Sequence, residues 1–145
     1  HRLHHRFPAT EKDPDYYSNE TKSFWAWYIK FMMAYQTDGQ VWISLLGMGT
    51  VFYVFLACQI SMANVILFWI IPMVMSSLQL FVFGVFLPHR QNYNEFGYRH
   101  RITSIHLPVF WSFISCYHFG YHLEHHLNPN LPWYQLPKAY RASKA

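Results

Sequence analysis

Residues 39 to 89 contain no Asp, Glu, Lys or Arg, whereas both flanks are polar and charged. A helix crosses a hydrocarbon core of ~30 Å with about 20 apolar residues. The run therefore has room for two spans and one tight connection, predicted over 41–60 and 64–87, with Gln59, Ser61 and Asn64 as the polar residues between them. Pro72 lies inside the second span and is expected to kink it, because proline removes a ladder donor and crowds the preceding turn. A buried hairpin of a soluble protein is the alternative, disfavoured by so long a charge-free run. Ser23 to Tyr35 is aromatic, with Lys22 before it and Lys30 within it. It is too short for a span and predicts an interfacial helix over 23–36, at the depth where Trp and Tyr accumulate. Leu107 to Tyr121 predicts a further helix partly in the membrane. Asn128 to Pro137 ends the helical pattern, Trp133 and Tyr134 are suited to the interface, and Lys138 to Ala145 forms a cationic end. The expected fold class is all-α, an integral membrane helical bundle built from a transmembrane hairpin plus interfacial helices.

Charge adds an orientation. Only 12% of the residues are charged, against about 25% in an average soluble domain. All eleven Lys and Arg flank the charge-free run. Two crossings return the chain to its starting side, and the positive-inside bias places both flanks in the cytoplasm. The net charge of +4 comes with no Lys/Arg run and no groove-reading motif, so nucleic acid is not an expected partner. Cys58 and Cys116 do not make a disulfide framework. These residues show no signal peptide or lipidation motif, and a segment upstream of His1 could carry one. The chain opens on His1, inside a motif, and is expected to be the C-terminal part of a longer protein: residues 1–22 a histidine box and loop, 88–145 a cytoplasmic histidine-box region.

The chemistry lies in the histidines. Four of them fall between His118 and His126. On a helix, with about 100° per residue, His118, His122, His125 and His126 occupy an arc of about 100°, and Glu124 falls on the opposite side. Neutral imidazoles on one face suit iron, zinc, copper or nickel. His1-Arg2-Leu3-His4-His5 repeats the His-x-x-His-His core of His122-Leu123-Glu124-His125-His126. A hairpin that returns to its own side brings both triplets to one membrane face, where each can serve two adjacent metals. His89, in Leu87-Pro88-His89-Arg90, ends the second span and is a further candidate ligand. His100 and His106 sit in a polar loop and read as solvated or structural. Asp13 and Asp15 read as turn and capping residues, or as hydrogen-bond partners of a ligand histidine.

These residues resemble the membrane fatty acid desaturase and hydroxylase superfamily, and in detail its beta-carotene ketolases. The resemblance rests on the two His-x-x-His-His boxes around a membrane hairpin. It rests also on His1 to Tyr16, Phe86-Leu87-Pro88-His89-Arg90, Ser115 to His126, and Leu131-Pro132-Trp133-Tyr134-Gln135-Leu136-Pro137. It implies two non-haem irons, O₂, and two electrons from a donor such as ferredoxin. It implies iron ligation by His1, His4, His5, His122, His125 and His126, with His89 an extra ligand and His118 a ligand or the neighbour of one. The implied reaction is two successive hydroxylations of the C4 methylene of a carotenoid β-ionone ring, then loss of water to leave a ketone. The family's first box, His-x-x-x-His or similar, is absent and is expected upstream of His1, so this chain alone does not complete the site.

Three rivals remain at this level. A fatty acid desaturase uses the same metals on another membrane lipid, and the histidine spacing does not exclude it. A bis-histidine haem protein makes poor use of packed triplets. A zinc-binding or metal-transport protein calls for polar ligands inside the spans, and the spans have none.

Overall fold

The computed structural model describes residues 1–8, 10–16, 23–34, 36, 38–90 and 102–144. The regular elements among them are helices, with no strand. His100, Arg101 and residues 17–22 lie outside the described residues.

A short helix α1, Arg2–Arg6, carries the first triplet. Helix α2, Phe24–Ala34, falls within the predicted 23–36. The two long apolar helices are α3, Asp38–Ala57, and α4, Met62–His89, close to the predicted spans. Four residues connect them, 58–61. Gln59 takes a left-handed φ of 56°. Its N–H donates to the Leu56 carbonyl at 3.0 Å, and the N–H of Ile60 donates to that of Phe55 at 3.0 Å. This paired closure satisfies carbonyls that a helix end leaves open. Ser61 then starts α4, accepting the N–H of Asn64 on its side chain at 3.4 Å.

Proline leaves α4 unbroken. The helix widens into π turns at Ile66–Ile70 and Val82–Phe86, and Pro72 and Pro88 each follow one of them. A π turn shifts the ladder by one residue and relieves the contact between a proline ring and the carbonyl behind it. The second turn also sets the rotational position of His89.

The core forms where α2 meets the last third of α4. Trp27 and Phe31 pack with Phe81 and Val85, and Phe24, Tyr28, Met32, Val82 and Phe86 surround them. Phe24, Trp27, Tyr28 and Phe31 share one helix face by their i, i+3, i+4, i+7 spacing. Tyr28 Oη lies 2.7 Å from Ser77 Oγ on α4. In α3, by contrast, no described side chain is buried.

The region after 102 covers the end of α4. The Thr103 N–H donates to the Pro88 carbonyl at 3.1 Å, and that of Ile105 to Gly120 at 2.7 Å. Helix α5, Val109–Cys116, is shorter than the expected 107–121. Gln79 of α4 donates its side-chain amide to the carbonyls of Ile114 and Ser115, capping the end of α5. Tyr117 and His118 then take positive φ, 46° and 65°, in a turn leading into α6, His122–Leu127. A short 3₁₀ turn, Trp133–Gln135, and α7, Leu136–Ala142, close the chain.

Candidate metal centre

The two triplets meet at the buried end of α4 and sort into two groups. His4, His89, His122 and His126 each bring one nitrogen to within 4.8 Å of the others, and His1, His5 and His125 do the same. Helical geometry explains the sorting. Positions i and i+4 lie about 40° apart, and i+3 lies about 60° to the other side. So α1 sends His1 and His5 one way and His4 the other. The α6 triplet does the reverse, with His122 and His126 in the first group and His125 in the second. His89 reaches the first group from α4, where its Nε2 is buried with no hydrogen-bond partner. The rings of His5 and His126, one from each group, stack at 4.1 Å.

The nitrogen spacings fit a metal ion. In the first group, His126 Nε2 lies 2.9 Å from His4 Nε2 and 3.2 Å from His122 Nε2. In the second, the Nε2 atoms of His1, His5 and His125 stand 3.0, 3.1 and 3.3 Å apart. Ligand nitrogens about 2.1 Å from one ion are separated by about 3.0 Å in an octahedron and about 3.4 Å in a tetrahedron. These contacts match the edges of such a polyhedron. Burial lowers the His122 and His125 pKa values and takes that of His126 down to about 2, with the neighbouring histidines adding to the effect. Neutral imidazoles are the ligating form.

Asp13 fixes one of these rings. His4 is fully buried, and its Nδ1 lies 2.9 Å from Asp13 Oδ1 and 3.5 Å from Asp15 Oδ2. A proton on Nδ1 leaves the Nε2 lone pair facing the group. Asp13 Oδ1 also accepts the Asp15 N–H at 2.8 Å, and the Asp15 carbonyl accepts Trp27 Nε1–H at 3.0 Å. The first triplet is thereby tied to the core of α2.

His118 stands apart. The stretch from His118 to His126 is helical only from His122, and the left-handed turn directs the His118 ring among Phe113, Tyr121 and Trp133, at 5.7, 6.0 and 6.0 Å. The structure does not bring it into either group. His106 is exposed and pairs through Nδ1 with Tyr140 Oη. Glu124 lies on the side of α6 away from the histidines, as its spacing indicates. It is buried, accepts Ser104 Oγ–H, and has Ser143 Oγ at 3.5 Å. Nothing in the sequence pointed to those partners, because both serines are distant in the chain.

An apolar cavity of about 320 Å³ lies between α2, α4 and the histidines, lined by Phe31, Met32, Leu80 and Val85 together with Phe119, His1 and His122. Sequence reasoning passed over Phe119 and Gly84, since an aromatic and a glycine in an apolar pattern carry no chemical signal.

Helices with apolar exposed faces carry, at one end, two histidine groups that could each hold a metal ion. The chain belongs to the fatty acid desaturase family, whose model matches residues 35–145. A Beta-carotene ketolase of a Paracoccus species is 36% identical over 138 residues, covering 94% of this chain and 54% of the relative. A Zeaxanthin 4-ketolase of Chlamydomonas reinhardtii is 31% identical, over 95% of this chain and 31% of the relative. A Beta-carotene ketolase of Haematococcus lacustris is 31% identical, over 97% of this chain and 44% of the relative. The chain spans about half or less of the length of these relatives. No solved structure matches it.

Proposed function

We propose that the full-length protein oxidises a membrane-dissolved lipid at a dinuclear non-haem iron centre, and that its reaction is ketolation of C4 of carotenoid β-ionone rings. The observation that carries this is the convergence of seven histidines into two groups with metal-like spacing beside an apolar cavity. His4, His89, His122 and His126 would hold one iron, and His1, His5 and His125 the other, with an upstream box completing the set. His118 is left out of the ligand set because its ring packs elsewhere. Bound iron supplies the activation of O₂, with two electrons from a donor such as ferredoxin for each hydroxylation.

The chain's own residues do the rest. Asp13 holds the His4 tautomer, and Asp15 ties that carboxylate to α2. The apolar walls receive the ring and exclude water, which protects a reactive oxidant from side reactions. The carbon to be oxidised lies beside a ring double bond, which delocalises a radical formed there. The ketolase names of the relatives support a carotenoid over a fatty acid.

The proposed topology is an integral membrane protein with the histidine groups on the cytoplasmic side. Helix α4 is about 42 Å long at 1.5 Å per residue, with Cys58 beyond its far end and Cys116 on the side of His89. An impermeant thiol reagent applied from outside should label Cys58, and labelling of Cys116 alone would reverse the orientation. For the reaction, the full-length protein expressed in cells that make β-carotene should yield keto-carotenoids and redden the pigment. Unchanged pigment with new double bonds in membrane fatty acids would replace this reading with desaturation.

A further inference from the structure

We propose that Phe119, seated against Gly84, is the depth stop of the apolar cavity and selects which ring end groups reach the histidines. The inference rests on the function proposed above. At about 320 Å³, the cavity is at the small end of the ~300–1,000 Å³ typical of ligand sites. It holds the end group of a long polyene, not its length.

Phe119 lines the cavity beside the histidines. Its ring centroid lies 5.0 Å from that of His122 and 5.6 Å from that of His125, one imidazole from each group. The ring can lie there only because residue 84 is glycine. A Cβ on Gly84 would stand 2.7 and 2.8 Å from two Phe119 ring carbons, closer than side-chain carbons pack. Any side chain at 84 therefore drives the ring into the cavity or against the imidazoles. The backbone of Phe119 has little room to follow, since its N–H is tied to the Cys116 carbonyl at 2.7 Å in the turn formed by Tyr117 and His118. The consequence is steric. A ring that carries a hydroxyl beside the carbon to be oxidised needs more depth than an unsubstituted ring.

The test gives the full-length protein β-carotene and a 3-hydroxylated β-ring carotenoid, zeaxanthin, in competition, and measures keto-products of each together with iron per chain. Phe119→Ala should raise the share of product from the hydroxylated ring about tenfold, within the range that one small group in an apolar pocket controls. Gly84→Ala should lower that share, and adding Phe119→Ala to it should restore turnover, because the clashing ring is gone. Phe119→Leu is the milder variant, expected to move the share in the same direction. An unchanged share in both Phe119 variants with iron retained overturns the depth stop. So does a Gly84→Ala defect that Phe119→Ala fails to relieve. Loss of iron in both Phe119 variants assigns the ring to holding the imidazoles and also overturns it. If fatty acids are the substrates, the ketolase reading falls by itself. The same variants are then read on the position of the new double bond: a shift along the acyl chain supports the depth stop, and a fixed position overturns it.

Discussion

The outer arm of the molecule, α3 with the first half of α4, and its histidine-bearing base are built by opposite rules. In the arm, large apolar side chains are exposed, Trp42 at 73% and Phe68 at 77%. In the base, polar groups are buried: His4 at 0%, His122 at 1% and Glu124 at 4%. Exposed apolar surface on this scale is stable only when something apolar covers it, and in the proposed topology lipid would do so for the arm. Buried polar groups are costly unless paired, and the base pairs some of them, His4 with Asp13 and Glu124 with Ser104, while His89 Nε2 has no hydrogen-bond partner. The comparison teaches that one helix serves two solvents. The outer half of α4 presents apolar side chains outward, its inner half packs on α2, and His89 ends it among the other histidines.

The largest expected effect comes from removing a ligand from the base. His126→Ala should abolish iron binding by the first group and all activity, seen by metal analysis of the purified full-length protein. Asp13→Asn keeps the shape near His4 but weakens its hold on the Nδ1 proton. Such partners typically contribute 10–100-fold in metal affinity or activity, so iron titration should show a loss of that order.

Acid should act on the base alone. Burial keeps His122 and His126 neutral in the folded chain, His126 down to a pKa of about 2. Unfolded histidine takes up a proton near pH 6.5. Below that value the unfolded chain binds more protons than the folded one, so stability falls as the pH falls toward the folded values and is fully kept above about 6.5. Thermal unfolding of the metal-stripped protein in detergent should show a lower Tm at pH 5.5 than at pH 7.5. The smallest effect belongs to the arm: Trp42→Ala should leave iron content and keto-product yield within error of the parent. A loss of iron there would mean that arm and base are coupled, and would break the comparison.

Much of this was legible along the chain. A charge-free run long enough for two spans reports helices directly, because a membrane imposes length and composition locally. The doubled His-x-x-His-His spacing likewise marked the residues that the fold gathers into two groups, since i, i+3 and i+4 share a helix face. The outcome at Pro72 was not legible, because proline forbids a regular ladder without specifying whether a kink or a π turn replaces it.

The sequence by itself determined the helical hairpin, the identity of the candidate ligands and the face of α6 that carries them. Only the tertiary structure decided how seven histidines divide between two groups, that His118 turns away, that Asp13 holds His4, and that Gly84 makes room for Phe119. The physical reason is one of range. Periodicity and span length act between neighbours in the chain, whereas these contacts join residues far apart in sequence, and their geometry depends on how α1, α4 and α6 pack.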